Sequence, residues 1–342
     1  EFNNKSKYIK KGLALTPVKF GISFTKKFLN QAGALIHIYK DGSIYLSHGG
    51  TEMGQGLFVK VAQVVANEFG VELDRVKVSA TSTAKVPNTS ATAASSGSDL
   101  NGMAAKDACI RIKKNLVAFA RKRYNINEDE IIYSNSHVLL GGKKISFNKF
   151  ISSAYFNRVE LFSNGYYKTP KIHYDEINAY GRPFYYYSYG ACLSEVVVDC
   201  LTGEYKLTKV DILHDVGASI NPGIDYGQIV GGFIQGMGWL CSEELKWDDS
   251  GKLLTTGAST YKIPSIGDTP EHFNVKIKPD TSNHEDTIHK SKAVGEPPLM
   301  LAISVWIAIK NAISYAEQGR ASELNAPASF EEVFFCLNNL NN

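Results

Sequence analysis

Segments 35–39 and 43–47 carry β-prone, largely apolar residues on either side of Lys40-Asp41-Gly42, which predicts a β-hairpin. The same pattern brackets Leu201-Thr202-Gly203-Glu204, between 194–199 and 205–211, and Asp248-Asp249-Ser250-Gly251, between 243–247 and 252–256. Elsewhere the apolar period lengthens: Leu57, Val61, Ala62, Val65 and Phe69 fall on one helical face, and comparable patterns predict helices over 57–69, 99–122, 226–240 and 298–317. Phe184-Tyr185-Tyr186-Tyr187 lacks the interleaved Arg or Lys of a nucleic-acid stacking surface and reads as a β-strand packed in a core. Hairpins and helices in mixed order predict an α+β chain of hairpin sheets covered by helices. Its 342 residues give room for two lobes, 1–160 and 161–342, divided within the irregular, aromatic-rich stretch 152–182.

Between the first hairpin and the 57–69 helix lies Gly49-Gly50-Thr51-Glu52-Met53-Gly54-Gln55-Gly56, four glycines in eight residues. A strand, a glycine loop and a helix start bring bare N–H groups and positive potential together, an arrangement that suits an anionic or phosphate-bearing ligand. The Lys and Ser/Thr of a P-loop and the Gly-x-Gly-x-x-Gly spacing are both missing, and a tight turn with no ligand explains the glycines about as well. A second run of small residues, from Asn88 to Ser98 and Asp99, also leads into a helix, with Ser98 or Asp99 as its expected N-cap. A third, Gly231-Gly232-Phe233-Ile234-Gln235-Gly236-Met237-Gly238, repeats the glycine spacing of 49–56 and follows the turn-rich stretch from Asp215 to Gly223 and then Gln228. It reads as an internal duplication or as close helix packing through small residues. With the entry to the 299–315 helix at Gly295, the 49–56 and 88–99 runs make three chain-distant helix entries led by small residues, a layout that suits a large polyanionic cofactor better than a catalytic triad.

One carboxylate has an unusual setting. In Lys292-Ala293-Val294-Gly295-Glu296-Pro297-Pro298-Leu299, Glu296 stands between a glycine and two prolines, ahead of the most apolar helical stretch, 299–315. Proline is tolerated at a helix start, so Glu296 is expected in the rigid entry to a largely buried helix. Burial there favours the protonated carboxyl and the positive helix end favours the anion. The plain role is a first-turn glutamate that complements the dipole; the chemical role is a general acid or base.

These motifs, with Val18 to Thr25, Leu29 to Ala34, Tyr189-Gly190, Ser194-Glu195-Val196 and Ser259 to Pro264, resemble in order the C-terminal part of the molybdenum-cofactor-binding portion of the xanthine dehydrogenase and xanthine oxidase family of molybdenum hydroxylases. The resemblance implies that family's two-lobed α+β domain and an active-site base at Glu296, activating a water-derived oxygen that attacks an electron-poor carbon of the substrate. It assigns Gly54, Gln55, Gly56, Ala94, Ser95, Ser96, Gly97, Ser98 and Gln228 to the molybdopterin. Phe24, Thr25, Ala93 and Ala94 go to a flat purine substrate, and the molybdenum is held through the pterin with no direct protein ligand. The implied substrate is xanthine or hypoxanthine, with an aldehyde or another azaheterocycle as the alternative within the family. Iron–sulfur clusters, FAD and NAD are implied on other domains or subunits, and an oligomer is expected.

The resemblance also shows what is missing. The family's molybdenum portion is about twice as long, and its earlier half supplies an arginine and a second glutamate that have no counterpart here. Cys109, Cys192, Cys200, Cys241 and Cys336 are scattered, without iron–sulfur spacing, so the chain reads as a fragment or one subunit of a larger complex, which an opening Glu1-Phe2 also fits. A cofactor-free structural module is the contrasting reading. Unclustered cysteines point to a reducing, cytoplasmic setting. A net charge of +3 and no basic run argue against nucleic acid or an anionic membrane as partner. The stretch 299–313, broken by Lys310, reads as a buried helix and not a membrane span. None of the eight histidines has zinc-site spacing.

Overall fold

The computed structural model describes residues 1–316 and 321–338. In chain order these form α1 (Phe2–Lys5), β1 (Ile9–Ile22), β2 (Gln31–Ile38), β3 (Ile44–His48), α2 (Leu57–Phe69), β4 (Val76–Val78), α3 (Gly97–Tyr124), β5 (Ile131–Ser134), β6 (His137–Leu140), β7 (Lys143–Ser146), α4 (Phe147–Phe156), β8 (Phe162–Lys168), β9 (His173–Asp175), β10 (Tyr180–Arg182), β11 (Tyr186–Asp199), β12 (Tyr205–Asp215), α5 (Pro222–Cys241), β13 (His272–Ile277), α6 (Pro297–Leu301), α7 (Ile303–Ser314) and α8 (Phe330–Asn338). The chain is α+β, as its patterning predicts. It divides into two compact units, each assembled from separate stretches: Glu1–Phe20, Tyr187–Ser282 and the described residues from Val294 onward in the first, Gly21–Tyr186 and Asn283–Ala293 in the second. Residues 161–186 thus group with the earlier part of the chain, and 1–20 with the later.

In the second unit the sheet order is β4-β3-β2-β8, with β2 antiparallel to both β3 and β8 and β3 parallel to β4. The hairpin expected at Lys40-Asp41-Gly42 is the β2–β3 pair. Helix α2 spans the predicted 57–69, buries Leu57, Val61, Val65 and Phe69, and stops at Gly70, whose φ of 59° is a left-handed cap. Helix α3 buries Leu100, Ala104, Ala105, Ala108, Ile112 and Leu116 at helical spacing. Its alanines let the sheet come close: a Cβ on Gly165 of β8 would lie 2.0 Å from the Ala104 carbonyl oxygen. Tyr185 and Tyr186 are 3% and 6% exposed while Phe184 and Tyr187 are half-buried, and β11 starts only at Tyr186, so the aromatic run is core and strand in part.

The first unit carries the sheet β1-β11-β12-β13, in which β11 and β12 form the predicted hairpin and β12 and β13 run parallel. Its core joins Val196, Val210 and Ile212 of the sheet to Ile229 and Phe233 of α5 and Val305 and Ile309 of α7. Two expectations change here. The 243–256 hairpin reduces to a single bridge, Trp247 to Leu253, around an Asp248 turn; Leu245, Trp247 and Leu254 are exposed, so no buried face holds a longer ladder. The 298–317 helix splits at Ala302, where the Leu301 carbonyl accepts from the Ser304 and Thr16 hydroxyls, and its predicted last residue lies outside those described. The stretch Pro297–Ser314 has the length and mean hydropathy, 1.3, of a short membrane span, but 56% of it is buried within the protein, as in a core helix.

Candidate functional site

In the second unit, three of the stretches singled out from sequence interlock. Gly50 N donates to Nδ1 of His48 (3.1 Å) and to Oδ1 of Asn101 (3.1 Å), while Nδ2 of Asn101 donates to the Gly97 carbonyl (2.9 Å), so one α3 side chain ties the glycine loop to the helix start. Thr51 N donates to Oγ1 of Thr92 (2.9 Å). Gly49 is required for this approach, since a Cβ there would lie 2.0 Å from Oγ1 of Thr89. Further along, Gln31 accepts from Asn88 (3.2 Å) and from the Tyr166 hydroxyl (2.8 Å), which brings the loop after Phe24 and Thr25 beside the same small-residue run. That loop is clipped by the buried Asn30, whose side chain exchanges hydrogen bonds with both the N–H and the carbonyl of Phe24 (2.8 Å each). Thr25 opens onto a shallow groove of about 600 Å³ shared with Lys26, Phe28, Gln31, Tyr166 and Lys168.

The two helix starts differ. At α2 a carboxylate already sits at the helix start: Glu52 accepts from the N–H groups of Gly54 (2.9 Å), Gly56 (3.0 Å) and Phe58 (2.9 Å). Partial burial pushes the Glu52 carboxyl up, but these donors outweigh it and hold the group below the usual glutamate range. Gln55 is folded into the loop too, its amide accepting from Met53 N (2.5 Å) and donating to the Thr51 carbonyl (2.8 Å). At α3 the N-cap residue makes no side-chain capping hydrogen bond. The N-cap is Ser96, not Ser98 or Asp99, and the Ser96 hydroxyl donates back to the Ala93 carbonyl (3.0 Å). Ala94 and Ser95 hold left-handed φ of 54° and 51° just before it, strained backbone for residues with a Cβ. The first-turn N–H groups of Gly97, Ser98 and Asp99 have no intrahelical acceptor, and the start of α3 is the better anion cradle.

Asp99 does not cap because its carboxylate is turned inward. It is buried and accepts a hydrogen bond of 2.6 Å from the Tyr186 hydroxyl. Burial pushes its carboxyl up to about 7, against the opposing pull of that hydroxyl and of buried Lys60. His48 is also buried; desolvation lowers its imidazole to about 4, against the raising influence of Glu52, so the ring is neutral and accepts from Gly50 at Nδ1. Its Nε2 has no hydrogen-bond partner among the described residues, and the ring meets Phe58 edge-on at 5.0 Å between centroids.

The first unit holds Gln228 and Glu296. Asn221 caps α5 by accepting from Ile224 N (3.0 Å), with Pro222 in the first turn, and Gln228 lies half-buried in the helix that follows. One turn on from Gln228, Gly232 meets the start of α6: a Cβ there would lie 3.1 Å from Cβ of Pro298 and 3.5 Å from the Gly295 carbonyl oxygen. A Cβ on Gly236 would lie 2.3 Å from the Leu299 carbonyl oxygen. The α5 glycines therefore serve close helix packing at 232 and 236, while Gly227 and Gly231 face open space. Glu296 is the N-cap residue of α6, followed by buried Pro297 and Pro298, but its side chain is exposed. The expected burial falls on the prolines.

Sequence reasoning named the loops and Glu296 but not Glu52, Asn101 or Gln31, whose partners are remote or whose type is ordinary for a loop or helix. Asn101, one turn after Gly97 in a run otherwise rich in alanine, was the one available signal.

A family model described as the molybdopterin cofactor-binding domain matches residues 1–270. Xanthine dehydrogenase from Oryza sativa subsp. japonica is 45% identical over 97% of this chain, xanthine dehydrogenase 1 from Arabidopsis thaliana 46% over 97%, and xanthine dehydrogenase/oxidase from Felis catus 45% over 97%. The chain spans about a quarter of the length of these relatives, 24% in each case. Among solved structures, CO dehydrogenase from Oligotropha carboxidovorans shares the fold with a TM-score of 0.84 at 20% identity, over 99% of this chain and 42% of that one. Quinoline 2-oxidoreductase from Pseudomonas putida 86 does so with a TM-score of 0.82 at 22% identity, over 98% and 43%. With most of its length matched by the family model, the chain belongs to the molybdopterin cofactor-binding domain family.

Proposed function

We propose that this chain supplies part of the molybdopterin site and the general base of a xanthine dehydrogenase. The observation that carries the substrate class is the match to xanthine dehydrogenases at 45–46% identity along nearly the whole chain. The residues present suit the cofactor unequally. The start of α3, with Ala94 and Ser95 left-handed before Ser96, Gly97 and Ser98, offers N–H and hydroxyl donors to the pterin and its phosphate. At the start of α2 the Glu52 carboxylate occupies that place, so Gly54 and Gly56 contribute close backbone approach and not a phosphate cradle. Gln55 binds through its amide by giving up Met53 N and the Thr51 carbonyl. The resemblance assigns Gln228, half-buried in α5, to the cofactor as well.

When bound, molybdenum supplies an oxygen nucleophile at neutral pH and takes up the electrons of the oxidation. Glu296 accepts the proton at a carboxylate oxygen. The backbone helps by holding that carboxylate at a proline-stiffened helix start, where little conformational freedom is left to lose. The Phe24 ring packs against the flat purine, the Thr25 hydroxyl bonds its edge, and the small side chains of Ala93 and Ala94 leave room for it. Electrons leave through iron–sulfur and FAD domains elsewhere in the protein, toward NAD.

The test is Glu296→Gln in the intact enzyme, with molybdenum content measured beside turnover of xanthine, an aldehyde and an azaheterocycle. Turnover falling at least 10²-fold at full molybdenum content is the expected result. Retained turnover removes Glu296 as the base, and a preference for aldehyde over xanthine changes the substrate class.

A further inference from the structure

The inward row of β11 changes character along the strand. Val196 and Val198 are fully buried, and so are Cys192 and Ser194 before them, a thiol and a hydroxyl where alternation calls for larger apolar side chains. A hydroxyl taken out of water costs free energy unless it is hydrogen-bonded, so Ser194 needs a partner within the core. It finds one at the break between α6 and α7, in the fully buried Ser304.

The bonds there converge on one backbone atom. The Leu301 carbonyl, at the end of α6, accepts from the Ser304 hydroxyl (2.8 Å) and from the Thr16 hydroxyl (3.3 Å). With the Ser304 hydrogen directed at that carbonyl, the Ser304 oxygen accepts from the Ser194 hydroxyl (2.7 Å). Sγ of Cys192 completes the cluster, 3.3 Å from the Ser304 oxygen and 3.6 Å from that of Ser194. Thr16 stands on β1, the neighbour of β11 in the sheet, so two adjacent strands reach one carbonyl. Helix α6 is only five residues long, about 7.5 Å at the usual rise, and its first two residues are prolines of fixed φ. Glu296 is its N-cap. All of these residues lie in the first unit.

We infer that Thr16, Ser194 and Ser304 are positioning residues: together they fix the Leu301 carbonyl, and through the short, proline-stiffened α6 they fix the backbone at Glu296. The inference rests on the reading of Glu296 as the base. None of the three touches a reacting atom in this account. A stiff five-residue helix carries a displacement at its last carbonyl to its N-cap, which lowers the fraction of time the carboxylate is correctly placed and leaves substrate binding alone.

The experiment compares Ser304→Ala, Thr16→Val, the double variant Ser194→Ala with Ser304→Ala, and Glu296→Gln in the intact, molybdenum-loaded enzyme. Val333→Ala, a buried α8 residue outside these hydrogen bonds, is the control for lost stability alone. Amide hydrogen exchange is followed over residues 296–305, where Leu299 N donates to the Glu296 carbonyl and Ala302 N to that of Leu299, along with kcat, KM and molybdenum content. Ser304→Ala should speed exchange there by roughly fivefold to tenfold, the size of one hydrogen bond. Its kcat should fall several-fold with KM and molybdenum content unchanged. Adding Ser194→Ala should lose little more, since the two hydroxyls act in series. Thr16→Val should change exchange and kcat in the same direction by less, and carries the test if Ser304→Ala does not fold. Val333→Ala should keep its kcat. Unchanged exchange over 296–305 in both Ser304→Ala and Thr16→Val overturns the anchor. Faster exchange with unchanged kcat overturns its functional role, as does a kcat loss that tracks lost molybdenum or is matched by Val333→Ala. Turnover retained in Glu296→Gln overturns the base assignment instead, and is distinguished from failure of the anchor because exchange is read independently of activity.

Discussion

Two glycines on one helix should respond to the same substitution with opposite sign. Gly236 lies where α5 meets α6, and an added methyl would sit 2.3 Å from the Leu299 carbonyl oxygen and 2.9 Å from Cβ of Ala302. The nearest atom is backbone, so it cannot rotate away, and α6 must shift to restore a normal contact. Overpacking of this kind costs about 1–3 kcal/mol, and the shift of a whole helix places Gly236→Ala at the upper end. The helix preference of alanine over glycine returns about 1 kcal/mol, leaving a net loss of about 2 kcal/mol. Gly231 has nothing within 4 Å of its Cβ position, so Gly231→Ala keeps the propensity gain without the clash. At roughly 2–4 °C per kcal/mol for a domain of this size, Gly236→Ala should lower the thermal midpoint by about 4–8 °C and Gly231→Ala should raise it by about 2–4 °C. Calorimetry and urea titration of both variants check this. Midpoints within about 1 °C of one another would refute the close approach of α5 to α6. Because Glu296 is the N-cap residue of α6, Gly236→Ala should also lower turnover where Gly231→Ala does not.

Removing the internal cap of α2 with Glu52→Ala should cost about 1 kcal/mol at neutral pH. The folded Glu52 value lies below the unfolded one, so this stabilisation is present above about pH 4.5 and is lost as pH falls through the folded value. A wild-type minus Glu52→Ala stability difference that does not shrink at any pH below 4.5 at which the protein stays folded would contradict the carboxylate cap. For His48 the folded value of about 4 lies below the unfolded 6.5, so the unfolded chain takes up the proton first. Stability should therefore fall by about 3 kcal/mol as pH drops from 6.5 to 4, a slope absent from His48→Gln. Histidine resonances followed by NMR would show the ring neutral at pH 5, and a midpoint near 6.5 would remove the basis for this prediction.

Periodicity alone carried the elements whose signal is local. Helix α2 matched its predicted bounds, and α3 and α5 extended theirs by a few residues, since apolar spacing and terminal Gly or Asn are written in the chain itself. The β2–β3 and β11–β12 hairpins were legible for the same reason, with Gly42 and Gly203 in left-handed turns. The 243–256 hairpin carried an equal signal and formed only a bridge, because strand pairing also needs a buried face that sequence does not supply. The glycine loops, the small-residue run and Glu296 were also marked in the sequence, by resemblance and by unusual composition. What each group does in its loop was decided by tertiary structure. Glu52 closing the start of α2, Ser96 as the cap of α3 and the α5 glycines serving as packing surface all depend on which atoms fold together. Asp99 meets Tyr186 across 87 residues, a separation over which local patterning carries no information. Burial there turns a residue expected to cap a helix into a hydrogen-bonded interior carboxyl.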